Sequence, residues 1–319
     1  MKWGILGAAK FAREQMGPAI HAARGAELVA LATSDPAKAD GFADFAPGLR
    51  VLSGYDALLA DPEIDAVYVP LPNHLHVEWS VKALQAGKHV LCEKPIALRA
   101  DEIDRVIAAR DASGKMAAEA FMIVHHPQFA RAKALVQGGA IGTLRHVDAV
   151  FTYNNAGAAG NIRNRPETGG GGLPDIGVYT FGAARFVTGR DPVAITHADV
   201  QFESGVDVFA HVAADFGDFT YGAVVSMRMQ PRQEITFHGD TGIVKLTCPF
   251  NANLFDLAEL VLETEAGRRT LERWPAANHY VLQVEAFGAA AKGADYACPL
   301  EFSRGTQRMM DMVFDAARG

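Results

Sequence analysis

Through the first 120 residues, short continuously apolar runs alternate with longer runs of helical periodicity. Residues 3–8, 27–32, 64–69, 90–92 and 116–120 read as strands, and 10–24, 36–45, 74–85 and 100–112 as helices. Gly87 follows the 74–85 helix in the position of a left-handed cap. Strands without polar alternation are buried on both faces, so this half predicts a parallel sheet covered by helices. Right-handed crossovers then lead to a doubly wound α/β fold. Beyond Phe121 the pattern changes. Residues 126–137 and 173–187 read as helices, 144–153 as a strand, and 154–172 as a polar loop rich in glycine and asparagine. Residues 193–273 are β-like with turn residues at 203–205, 217–218 and 239–240, and 281–292 and 302–317 read as closing helices. Short strands joined by tight turns predict an α+β half with a largely antiparallel open sheet.

Length and composition sharpen this picture. The chain has 319 residues, which at about 150 residues per domain accommodates two domains. The change in pattern divides it into 1–120 and 121–319. Hydrophobic residues make up 49% and charged residues 21%, enough apolar material for a sizeable core, so disordered and fibrous classes are excluded. The net charge of −7 lacks the attraction that drives binding to nucleic acid or anionic lipid. No apolar run approaches the roughly 20 residues that span a bilayer. Three scattered cysteines, Cys92, Cys248 and Cys298, make neither a disulfide framework nor a zinc ribbon. With no leader pattern after Met1, a cytoplasmic protein acting on a small molecule is expected.

Four stretches carry candidate chemistry. In Gly7-Ala8-Ala9-Lys10-Phe11-Ala12, Gly7, Ala9 and Ala12 occupy the three places where a dinucleotide-binding turn needs small residues. A helix start follows to receive phosphates. The second strand runs out at Thr33-Ser34-Asp35, with Lys38 a turn later. Thr33 stands where an acid would bond the ribose of NAD, and hydroxyls with a nearby ammonium suit the 2′-phosphate of NADP. NADP is therefore favoured, and Asp35 keeps NAD open. Glu93-Lys94-Pro95 lies at the carboxyl end of a parallel strand, where such sheets bind ligands. Asp175 and Tyr179 are four apart and share a helix face after the glycine run 169–172. Tyrosine titrates near 10, so acid/base work at neutral pH needs an adjacent cation, for which Lys94 is the candidate. His74 and His76 open a helix two residues apart and so face different ways, and no metal site is expected.

Taken together, these motifs resemble the glucose–fructose oxidoreductase/inositol dehydrogenase (Gfo/Idh/MocA) family over essentially the whole chain. The matching stretches are 3–9, Pro72-Asn73-His74-Leu75-His76, 87–95 with its Glu-Lys-Pro, Asn161-Ile162-Arg163, and the glycine run into 175–179. Tyrosine at 179, in place of histidine, resembles the branch with dihydrodiol/D-xylose dehydrogenase and anhydrofructose reductase. The resemblance implies an N-terminal Rossmann domain with Gly7, Ala8, Ala9, Lys10 and Phe11 at the pyrophosphate. Thr33, Ser34 and Lys38 would meet the adenosine ribose and its phosphate; Pro70, Leu71, Asn73, His76 and Glu93 would line the nicotinamide side. Lys94 and Tyr179 would form the catalytic pair, with Asp175 positioning substrate. Asn161 and Arg163 would reach cofactor and substrate, and Tyr280 would sit over the site. Two features depart from the pattern. Ile123-Val124 replace a common Tyr-Arg, and Ser34 is followed by Asp35 instead of arginine.

The expected activity is NAD(P)-dependent hydride transfer at a carbinol or carbonyl carbon of a sugar or polyol. Two other classes share the fold: a catalytically silent nucleotide-binding regulator, and a redox-neutral sugar lyase or glycosidase using bound NAD. The former would lack the lysine or tyrosine, and both are present. A half-covered C-terminal sheet further predicts a homodimer or homotetramer formed through its free face.

Overall fold

The computed structural model describes residues 1–158 and 160–318. The chain folds into two compact units. The first takes Met1–Met122 together with His279–Arg304; the second takes Ile123–Asn278 and the chain from Gly305 on.

Unit 1 is built on six strands: β1 (Lys2–Leu6), β2 (Glu27–Ala32), β3 (Arg50–Leu52), β4 (Ala66–Val69), β5 (His89–Cys92) and β6 (Ala117–Glu119). They pair in the order β3-β2-β1-β4-β5-β6, every pair parallel. The order reverses between β1 and β4, and a doubly wound sheet binds its ligands at the carboxyl ends of the strands at such a reversal. Ile5, Leu6, Val67, Val69 and Val90 are fully buried, as strands covered on both faces require. The expected 10–24 helix forms with a π turn, Ala12–Met16, ahead of α1 (Gly17–Ala22). Gly17 permits it: its N–H bonds the Ala12 carbonyl, and a Cβ there would lie 2.7 Å from that oxygen.

Two elements escaped the hydrophobic pattern, β3 and α2 (Tyr55–Ala60). Arg50 and Val51 are exposed and only Leu52 is partly covered, so this edge strand carries no apolar run. Residues 36–45 give a 3-10 helix, Pro36–Phe42, instead of an α-helix.

The division at residue 120/121 differs from the observed one at the C-terminal end. Helix α7 (His279–Ala290), like the chain up to Arg304, packs on the sheet unit. Phe287 and Trp3, both fully buried, meet with ring centroids 5.2 Å apart. Glu285 pairs with Arg24 at 3.0 Å, and Glu301 with Arg110 at 2.8 Å. These partners are more than 190 residues apart, beyond the reach of any local periodicity. Phe287→Ala should therefore destabilise the N-terminal unit by about 3–5 kcal/mol through the cavity it leaves. Urea unfolding followed by tryptophan fluorescence checks this, and a loss within experimental error would place α7 outside that core.

Unit 2 holds eight strands: β7 (Leu144–Asn154), β8 (Ala194–Glu203), β9 (Val206–Asp215), β10 (Thr220–Ser226), β11 (Arg228–Gly239), β12 (Gly242–Leu246), β13 (Glu259–Thr264) and β14 (Arg268–Arg273). Their order is β14-β13-β12-β11-β7-β10-β9-β8. All pairs are antiparallel except β7 with β10, so the sheet is mixed. Helices α5 (Pro127–Gln137) and α6 (Val178–Thr188) pack against it. On β7, the buried Val147 and Ala149 alternate with the more exposed His146 and Asp148, the period-2 signature of a sheet with one face covered. Helix α6 is buried from Val178 through Val187, which fixes whatever it carries. Among the described residues, no helix is long and apolar enough to cross a membrane.

Candidate active site

The candidate residues fall in both units. In unit 1, the chain leaves β1 through Gly7, whose φ is +103° and whose N–H bonds the Ala32 carbonyl at 2.9 Å. A Cβ at Gly7 would lie 3.1 Å from Leu71 Cδ2 and 3.3 Å from the Tyr55 hydroxyl. Only glycine fits this turn without strain. Ala8, Ala9 and Phe11 remain partly exposed, with Lys10 fully so. This cradle, at the reversal point of the sheet and before a helix start, fits a dinucleotide pyrophosphate.

At the end of β2, the buried Thr33 hydroxyl accepts from the Asp35 N–H at 3.1 Å. The Asp35 carboxylate turns back to accept from Ala37 N–H at 3.2 Å, capping the helix Pro36–Phe42. One Asp35 oxygen is thus engaged with its own backbone, and Ser34, Asp35 and Lys38 are all exposed.

The Glu93-Lys94-Pro95 turn is braced from three sides. Tyr68 donates to Glu93 Oε1 at 2.6 Å, and the buried Glu119 accepts from Ile96 N–H at 2.9 Å. His76, fully buried, places Nδ1 2.7 Å from the Pro95 carbonyl and Nε2 2.7 Å from the Leu71 carbonyl. Burial pulls the imidazole down to about 4 from its usual 6.5, against the pull of those carbonyls. Neutral His76 thus lies between the turn after β4 and the turn after β5, donating its one N–H to one of the two carbonyls, and does not itself line an open surface. Pro70 and Asn73 flank it, partly exposed, and Lys94 is partly exposed as well. Tyr280 is buried edge-on against Phe11, with ring centroids 5.6 Å apart.

In unit 2, Asp175 sits in the π turn Leu173–Gly177 that opens α6, and it is 8% exposed. Its Oδ1 lies 2.8 Å from Arg163 Nε, and its Oδ2 accepts from the Tyr153 hydroxyl at 2.7 Å. The Asp175 charge is the chief cause that raises the Arg163 guanidinium above its ordinary value. Burial, then that same charge, raises the Tyr153 phenol. Asn161 caps its own short turn, accepting from Arg163 N–H at 3.0 Å, and so shapes the backbone that presents Arg163. The Thr168 hydroxyl lies 2.6 and 2.9 Å from the Ile162 and Arg165 carbonyls, which share its one proton. Arg228, reaching from β11, donates to Asn155 Oδ1 at 2.7 Å and to Asn164 Oδ1 at 3.3 Å. Tyr179 lies buried on α6 beside Phe151 and Phe250, at 5.8 and 6.0 Å between centroids. Buried Asp207 accepts from Leu173 N–H at 2.6 Å, and burial pushes it up to about 6. A Cβ on Gly171 would overlap its carboxylate.

Two family models match this chain. One, an oxidoreductase family with an NAD-binding Rossmann fold, covers residues 1–121, and the GFO/IDH/MocA C-terminal domain covers residues 129–245. The chain belongs to the GFO/IDH/MocA oxidoreductase family. It is similar along its length to the uncharacterized oxidoreductase ORF334 of Rhizobium meliloti, at 38% identity over 98% of this chain and 96% of the relative. It is also similar to D-xylose 1-dehydrogenase (NADP(+)) 2 of Haloferax volcanii, at 33% identity over 99% and 97%. Among solved structures, KijD10, a 3-ketoreductase from Actinomadura kijaniata in complex with NADP and TDP-benzene, superposes with a TM-score of 0.88. That pair is 31% identical, covering 100% of this chain and 97% of KijD10.

Within this GFO/IDH/MocA member, the structure draws Gly7, Phe11, Leu71, His76, Glu93, Lys94 and Tyr280 into the first unit and Asn161, Arg163, Asp175 and Tyr179 into the second. His76 places both ring nitrogens against backbone carbonyls, and Tyr280 packs edge-on against Phe11. The residues that sequence reasoning missed are Tyr68, Glu119, Tyr153, Asp207 and Arg228. Each acts on a partner more than 20 residues away, and none sits in a recognisable motif. Among the described residues, no group of three or more His, Cys, Asp or Glu side chains could hold a metal ion.

Proposed function

We propose that this protein is an NADP-dependent oxidoreductase acting at a CH–OH or C=O carbon of a sugar or polyol, with Tyr179 as acid/base assisted by Lys94. The observation that carries the reading is the Gly7 turn, held at φ +103° where glycine is required, at the reversal point of a parallel sheet. The choice of NADP rests on the hydroxyls of Thr33 and Ser34 and the exposed Lys38 at the end of β2, where one oxygen of Asp35 caps its own helix. Whole-length similarity to an NADP-dependent D-xylose dehydrogenase and to a 3-ketoreductase crystallised with NADP supports both the cofactor and the sugar.

The residues that would hold the dinucleotide are Gly7 to Phe11 at the pyrophosphate and Thr33, Ser34 and Lys38 at the adenosine end. Pro70, Leu71, Asn73 and Glu93 would lie toward the nicotinamide, which when bound supplies or accepts a hydride. Tyr179 takes the substrate hydroxyl proton in oxidation and returns it in reduction. Lys94 supplies the positive charge that favours the phenolate. Arg163, fixed by Asp175, and Asn161 orient the remaining hydroxyls.

Absorbance at the nicotinamide band tests this directly, with aldoses, inositols and keto-sugars offered and NADP and NAD run separately. Turnover of at least one sugar with NADP preferred is the expected result. Tight nucleotide binding without turnover of any compound would move the protein to the regulator or redox-neutral class. Preference for NAD would return Asp35 to the ribose.

A further inference from the structure

Resting on the oxidoreductase reading, the inference concerns which sugars the second unit accepts. Segment 154–172 and the helix after it combine features that suit a phosphate: four consecutive glycines, a helix start and the arginines 163 and 165. In the structure the backbone donors of this segment are already committed inside unit 2, and each arginine is paired with a carboxylate. The N–H groups of Gly169, Gly170 and Gly171 donate to the carbonyls of Pro166, Arg165 and Arg163 at 3.0, 3.1 and 3.0 Å. Those of Gly172 and Leu173, which head the helix, donate to the buried Asp207 carboxylate. The protein's own anion therefore fills the place where a phosphate would dock.

The charges balance in the same way. Arg163 pairs with Asp175 at 2.8 Å, Arg165 with Glu167 at 2.7 Å, and Arg228 with Glu203 at 2.7 Å. Each arginine that belongs to the loop or braces it thus has a carboxylate of its own, and Asp207 adds one more negative charge. A nucleoside diphosphate needs surplus cations or free N–H groups. A sugar hydroxyl both donates and accepts, and an arginine–carboxylate pair offers it both without net charge.

We propose that this loop takes an uncharged sugar or polyol and rejects sugars linked to a nucleoside diphosphate. KijD10, crystallised with TDP-benzene, is the natural comparison. The test loads the enzyme with saturating NADP, so that its adenosine site is filled, and titrates thymidine diphosphate by calorimetry. In parallel, NADP(H)-linked turnover is compared between free sugars and dTDP- and UDP-linked sugars. No binding tighter than about 1 mM is expected for thymidine diphosphate. A free sugar should exceed the nucleotide-linked ones in kcat/KM by at least about tenfold. Micromolar thymidine diphosphate binding, or a nucleotide sugar turned over as well as any free one, would overturn the proposal. An enzyme that binds NADP, ignores thymidine diphosphate and turns over nothing would uphold the charge argument and defeat the sugar reading instead.

Discussion

Tyr179→Phe is expected to lower kcat by about 10²–10⁴-fold, the range a positioned acid/base contributes. That corresponds to about 3–5 kcal/mol of barrier. The substitution removes one oxygen from a side chain that is 6% exposed and held between Phe151 and Phe250, so the ring should keep its place. NADP affinity, measured by quenching of tryptophan fluorescence, should change little, because the dinucleotide turn belongs to the other unit. Unchanged turnover would remove Tyr179 from the chemistry. Lys94→Met separates two roles for the lysine. If Lys94 favours the phenolate, its loss moves upward in pH the limb that Tyr179 sets, the acid limb in oxidation and the alkaline limb in reduction. If it only orients substrate, activity falls and the limb stays.

Gly7→Val should weaken NADP binding by about 10–100-fold, the equivalent of about 1.4–2.8 kcal/mol. Two effects act together. At φ +103° a β-branched residue is strained by about 1–3 kcal/mol. Its Cβ would also press on Leu71 and Tyr55, and Leu71 belongs to the turn that His76 fixes. The backbone must then move where it should approach pyrophosphate. Titration of NADPH fluorescence reads the loss, and circular dichroism confirms that the sheet persists. Wild-type affinity in a folded Gly7→Val would mean that the nucleotide does not approach this turn.

Much of unit 1 was legible because its determinants are local. Apolar runs such as Ala66–Val69 are buried on both faces by their own composition, and Gly7 and Glu93-Lys94-Pro95 carry their meaning within a few residues. The edge strand Arg50–Leu52 was not legible, since an exposed edge needs no hydrophobic signature. In the site, Asp175 and Arg163 were visible as polar residues in motifs. That they pair with each other, and that Tyr153 completes the pair from 22 residues away, was not.

The amino-acid sequence by itself determined most of the element types, the parallel sheet of the first unit, the family and the residues with chemical capacity, since periodicity and short motifs act over a few residues. Tertiary structure alone decided which unit owns His279–Arg304, that His76 is buried between two backbone carbonyls, that Tyr280 packs on Phe11, and that Asp207 fills the head of the α6 segment. Those outcomes depend on burial and on partners brought together only when the chain closes on itself, and a buried carboxylate or imidazole takes its role from what surrounds it.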